Sequence, residues 1–109
     1  MSAPSPSPRP EIYEATTATD GSGAVYKGAQ LTQAQAEARR VAGLDIVVCG
    51  PDDLDNRLLA GDIESAAGPW KHQRAHEKYA GPLALPHFQQ RGPLPVGHSF
   101  YETATKKAI

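Results

Sequence analysis

Four histidines hold the acid–base potential of this sequence, and all of them, His72, His76, His87 and His98, fall after residue 68. Imidazole is the one side chain whose unperturbed titration lies between acid and base near neutrality. His87 and His98 are eleven residues apart, in Pro86-His87-Phe88 and Gly97-His98-Ser99-Phe100-Tyr101. If those segments pair as strands, the two imidazoles converge near Arg91. Such a group suits metal-free cleavage of RNA. One histidine takes the proton from a ribose 2′-hydroxyl, which attacks the adjacent phosphate, and the other protonates the departing 5′-oxygen. A cation offsets charge building on the phosphoryl oxygens. The candidate catalytic residues are therefore His98 and His87, with Arg91, Lys71 or Arg74 on the phosphate and Tyr101 or Ser99 orienting it. The competing reading makes either histidine a hydrogen-bonded structural residue.

His72 and His76 have the i, i+4 spacing that would place two metal ligands on one helix face. Lys71, Arg74 and Lys78 surround them with positive charge, however, and no acidic third ligand is close in sequence. Lys71, His72 and Arg74 read as a solvated or phosphate-facing basic segment, and no metal or other cofactor is expected. A single cysteine, Cys49, excludes an internal disulfide and a cysteine-cluster zinc site. It ends an apolar run, where a small buried hydrophobe and a nucleophile near His87 or His98 are the two readings. Asp52, Asp53 and Asp55 lack the spacing of a calcium loop and read as acids at a helix start. Neither Gly21-Ser22-Gly23 nor Gly50-Pro51 has the lysine a phosphate-binding loop requires.

The chain has 109 residues and a net charge of −1, with 10 Gly, 10 Pro and few aromatics. That is room for one domain with a small core of Leu, Val, Ile and Ala. The near-neutral total hides an asymmetry. Residues 1–68 carry five Lys/Arg against ten Asp/Glu, a balance of −5, whereas residues 69–109 carry six against two, a balance of +4. A basic half in one chain points to an anionic partner, and two solvated surfaces of opposite sign are the bland alternative. No apolar run approaches the roughly 18 residues of a transmembrane helix, so no membrane partner is expected. Residues 1–10 lack the apolar core of a secretory signal and read as a Ser/Pro linker, the lead-in to a module attached to something longer. The remainder, 11–109, reads as a single catalytic domain.

Several elements must position the histidines. Residues 12–17 and 24–27 form a short hairpin around Asp20-Gly21-Ser22-Gly23. Thr32 and Gln35 make a capping box, Gly43 ends the helix they open, and Ala34, Ala38 and Val41 share its apolar face. Residues 44–49 read as a buried, β-branched strand at the centre of the core. A second helix opens at Gly50-Pro51-Asp52-Asp53, buries Leu54, Leu58, Leu59, Ile63, Ala66 and Ala67, and stops at Gly68-Pro69. Residues 70–81 are a short exposed helix or a loop. Strands follow at 83–89, with Pro86 favouring an edge, and at 98–102, where His98, Phe100 and Glu102 share one face and Ser99 and Tyr101 the other. The basic tail, 103–109, reads as loose. The expected class is α+β, two helices packed against a small antiparallel β-sheet.

Taken together, these motifs resemble the C-terminal toxin domains of bacterial polymorphic toxins. The resemblance rests on Pro86-His87-Phe88, on Gly97-His98-Ser99-Phe100-Tyr101, and on the run from Arg39 through Val47-Val48-Cys49-Gly50; it covers about residues 26–103. Many such domains are metal-independent ribonucleases of the barnase, EndoU, colicin and RelE type. It implies an RNase that acts in the cytoplasm of a target cell after secretion or delivery within a larger effector. A cognate immunity protein would neutralise it in the producer. A toxin of other chemistry (a DNase or a nucleotide-modifying transferase) and a non-enzymatic binding module with a basic face are the alternatives.

Overall fold

A computed structural model describes residues 9–74 and 81–109. Among these residues the chain order is β1 (Glu11–Thr17), β2 (Val25–Leu31), α1 (Gln33–Val41), β3 (Ile46–Cys49), α2 (Asp53–Ser65), β4 (Trp70–Gln73), β5 (His87–Gln90) and β6 (Ser99–Tyr101). The strands form one sheet in the order β2-β1-β3-β6-β5-β4. The class is α+β, as expected. The sheet is not wholly antiparallel, because β3 runs parallel to β6 while every other pair is antiparallel. The β-branched run Ile46–Cys49 is the central strand, buried along its whole length.

Strand alternation divides the core in two. On the helix side, Ile12, Ile46, Val48, Phe88 and Tyr101 pack with Ala36 of α1 and Ala60 and Ile63 of α2. On the other side, Ala15, Val25, Val47, Cys49, Leu85 and Phe100 form a second cluster, with Tyr13 and Ala108 against it. Among the described residues no helix contributes to that cluster, and Leu85 and Ala108 join it from irregular chain. The tail is not loose: Ile109 donates its N–H to Val25 O and accepts from Lys27 N–H, at 2.9 and 3.0 Å.

The helix boundaries follow from their caps. Thr32 and Gln35 make the reciprocal capping box at α1, and the chain leaves this helix through Gly43, with Leu44 N–H on Arg39 O and Gly43 N–H on Arg40 O. Asp52 caps α2 by accepting from Asp55 N–H at 2.9 Å. The buried faces differ from the apolar stripes of the sequence. In α1 they are Ala36 and Arg40, leaving Val41 exposed; in α2 they include Asn56, Ala60, Ile63 and Glu64, leaving Leu54 and Leu58 exposed.

The reason is one buried ion pair. Arg40 Nε and Nη2 donate to the two oxygens of Glu64 at 2.8 and 3.0 Å, both side chains being fully buried. Glu64 also accepts from Ser99 Oγ at 2.8 Å and Gln90 Nε2 at 2.6 Å. Arg40 Nη1 is used up by Leu44 O and Val96 O. A satisfied pair of this kind joins both helices to β5 and β6, and rotates α1 and α2 away from the orientation their hydrophobic residues alone would choose.

Residues 70–73 are neither helix nor loop. They form the edge strand β4, paired from Trp70↔Gln90 to Gln73↔His87. His72 therefore lies in a strand, and His76 and Lys78 lie outside the described residues.

Candidate functional site

The register of β5 and β6 sets the site. His87 pairs with Phe100 and Phe88 with Ser99, so His87, Phe100 and His98 lie on the face away from the helices. The imidazoles of His87 and His98 meet edge to face, their centroids 4.7 Å apart, and Phe100 lies under both at 5.3 and 5.0 Å. The two histidines and Phe100 line a cavity of about 240 Å³, whose other walls are Thr17, Ala18, Gly21 and Gly23 of the β1–β2 turn and Ala84 and Leu85. That turn is fastened to the segment before β5. Leu83 N–H donates to Ser22 O, and Gly81, at φ +107°, passes so near that a Cβ would fall 2.2 Å from the Ser22 carbonyl carbon.

Each imidazole has its own partner. Asp45 Oδ1 accepts from the backbone N–H of His98 at 2.7 Å and sits 3.2 Å from its Nδ1. The carboxylate thus keeps the proton on Nδ1 and leaves Nε2 as the working nitrogen. Asp45 is held in turn at its carbonyl, which accepts from Arg39 Nε and Nη2 and from Ala15 N–H. Gly97, at φ +100°, allows this approach, since a Cβ there would lie 3.0 Å from Asp45 Oδ1 and 2.7 Å from Arg40 Nη1. His87 Nε2 lies 2.9 Å from Gln89 Oε1 and its Nδ1 3.3 Å from Leu85 O. Burial, seconded by the neighbouring His98, holds His87 below the ordinary imidazole range, so it is a neutral base at pH 7.

The remaining candidates separate. Ser99 and Tyr101 point to the helix side and do not join the pair: Ser99 is sealed against Glu64, and Tyr101 contacts His72. Arg91 is also elsewhere. Its Nε donates to Trp70 O, and it lines a shallow depression with Ser65, Gly68, Pro69 and Trp70. These three placements correct the expectation of a single cluster, because alternation along β6 turns Ser99 and Tyr101 to the other face, and Arg91, four residues beyond His87, lies past the end of β5. Lys71 pairs with Gln89 and so projects, exposed, from the histidine face. His72 and Arg74 belong to the other one.

Cys49 packs in the second core cluster, where burial, with a smaller push from Glu102, raises its thiol to about 12. Its placement fits the buried-hydrophobe reading. Asp45 and Gln89 are the partners that sequence reasoning passed over. Asp45 stood just before the apolar run, at the point where a strand start meets the Gly97-His98 segment, but nothing in the spacing announced the parallel β3–β6 pairing that joins them.

Among the described residues, no group of three or more His, Cys, Asp or Glu side chains is arranged to hold a metal ion. No helix there is long and apolar enough to cross a membrane. A groove of about 730 Å³ lined by residues such as Glu11, Leu31, Leu58 and Asp62 contains none of the histidines. No protein-family model, curated protein or solved structure matches the chain.

Proposed function

We propose that this chain cleaves RNA through His87 and His98. The observation that carries the reading is the pair itself: two imidazoles in contact at a small cavity, one kept neutral by burial and the other fixed in tautomer by Asp45. His87 is the base. For this its proton resides on Nδ1, toward Leu85 O, and Nε2 presents the lone pair; the Gln89 amide oxygen beside Nε2 turns away to admit the ribose 2′-hydroxyl, which donates there. His98 is the acid, delivering a proton from Nε2 to the 5′-oxygen as it leaves. Asp45 steadies the ring throughout. Lys71, a cation on this face and on the strand paired with β5, can meet the phosphate.

The experiment is incubation of the purified chain with RNA and with DNA of the same sequence, both in EDTA. RNA should be cut to fragments ending in a 2′,3′-cyclic phosphate or its hydrolysis product, and DNA, lacking the attacking hydroxyl, should stay intact. His87→Ala and His98→Ala should each lower the rate by about 10²–10⁴. Intact RNA, or undiminished cleavage by the double variant, would overturn the reading. The same reading makes the chain an antibacterial toxin acting in the target-cell cytoplasm, with an immunity protein as partner. Its expression alone should then arrest bacterial growth, and co-expression of that partner should relieve the arrest.

A further inference from the structure

The other face of the same sheet end carries a second group of polar side chains that the cleavage reaction does not use. His72 of β4 and Tyr101 of β6 reach across Phe88 and meet, Nε2 to hydroxyl, at 2.6 Å, with their rings 5.8 Å apart and nearly parallel. Phe88 supports both, at 5.0 and 5.9 Å, and Trp70 closes the row against Phe88 at 4.7 Å. Two guanidinium groups act on this pair. Arg57 is exposed on α2, the helix packed against β4, β5 and β6, and Arg74 directly follows Gln73 at the end of β4, so their charges bear on His72, and that of Arg57 also on Tyr101. Neither arginine has an ion-pair or hydrogen-bond partner among the described residues. Asp53 is the carboxylate that faces Tyr101.

We infer that His72, Tyr101, Arg57 and Arg74 form an anion-binding site for a phosphate group, separate from the His87–His98 pair and on the opposite face of the sheet. The chemistry follows from the donors. A phenol is a better donor than an imidazole, and an imidazole nitrogen a better acceptor than a phenol, so the hydroxyl donates to Nε2 and the His72 proton resides on Nδ1. That Nδ1–H has no partner among the described residues. Together with two guanidinium groups that have no ion-pair partner among the described residues, it offers an anion several charge-assisted donors. Two like charges beside a half-buried imidazole disfavour its protonation in the free protein; a bound phosphate reverses that penalty. Among the described residues, Asp53 is the carboxylate whose charge reaches Tyr101, and the two arginines outweigh it.

The phosphate can belong to a free phosphate or to the backbone of a nucleic acid, and two probes separate these sources. Inorganic phosphate and an unstructured DNA oligonucleotide, which the proposed reaction leaves uncut, are titrated while the His72 imidazole signals and the fluorescence of Trp70 are followed. Either probe should shift the His72 resonances and raise the pH at which they titrate. A response to both assigns recognition to the phosphate group alone, and a response to the oligonucleotide only assigns it to a phosphodiester backbone. Arg57→Gln with Arg74→Gln should weaken binding at least about tenfold. His87→Ala with His98→Ala should abolish cleavage and keep the response, so the two proposals fail separately. No shift of His72 with either probe at millimolar concentration, unchanged affinity in the double arginine variant, or loss of the response with the His87–His98 pair would overturn the inference.

Discussion

Replacing Glu64 by Gln removes one charge from a fully buried ion pair while keeping its volume. Wild-type Glu64 accepts from Arg40 twice, from Ser99 and from Gln90, at 2.6–3.0 Å. The variant leaves the Arg40 guanidinium fully buried beside an amide, one of whose two groups is itself a donor. Breaking a buried pair in this way costs about 3–5 kcal/mol. Against a total stability of roughly 5–15 kcal/mol for a domain of this kind, that is a large fraction. Urea denaturation followed by the fluorescence of Trp70, the one tryptophan, measures it directly. With a denaturant slope of about 1.5 kcal/mol per molar, the midpoint should fall by about 2–3 M. Arg40→Met with Glu64→Leu is the informative control. Removing both charges leaves no uncompensated ion, so the double variant should recover much of the loss. A midpoint shift for Glu64→Gln of less than about 0.5 M, or a double variant as unstable as the single, would refute the reasoning.

Asp45→Asn keeps the bond to the His98 backbone but removes the carboxylate that fixes Nδ1–H; kcat for RNA should fall at least about tenfold, a part of the whole acid–base contribution, and an unchanged kcat would refute the role. His72 and His87 are both held below their unfolded value of 6.5, chiefly by burial. The unfolded chain therefore binds more protons as the pH falls through that value, so the stability contributed by these neutral imidazoles is complete above it and is lost toward the lower folded values. Urea midpoints taken from about pH 8 down to about pH 5 should decline on the acid side, and His87→Gln should flatten that decline. Cys49, with its thiol up at about 12, should resist alkylation in the folded protein at pH 8 and react only under denaturing conditions; rapid labelling of the native chain would contradict its burial.

What the sequence made legible was local. The capping box at Thr32, the glycine exit at Gly43, the buried strand before Cys49 and the side-by-side placement of 87–90 and 99–101 all follow from short-range chemistry, and all are present. The faces of the helices were not legible. Hydrophobic periodicity favoured Val41 and Leu58 as buried residues, whereas the fold buries Arg40 and Glu64, whose partnership spans 24 residues and has no local signature. Strand β4 was obscured by its charges: an edge strand needs only one covered face, and Trp70 and His72 supply it while Lys71 points away. The parallel pairing of β3 with β6 was likewise beyond reach, and with it the contact of Asp45 and His98.

Alternation explains why one basic half of the chain holds two separate polar groups. From β4 to β6, residues on one face are Lys71, His87, His98 and Phe100, and on the other Trp70, His72, Phe88, Ser99 and Tyr101. A one-residue slip of β6 against β5 would exchange them, bringing Tyr101 to the His87 side and burying a phenol without its imidazole. The fold forbids that slip by fastening β6 at both ends and on both neighbours. Ser99 is tied to Glu64, His98 to Asp45, and Glu102 N–H to Val48 O at 2.9 Å, while Asn56 Nδ2 holds the Glu102 carbonyl at 3.0 Å. The buried ion pair thus acts on the histidine site at a distance: by fixing the register of a three-residue strand, it decides which face each imidazole occupies.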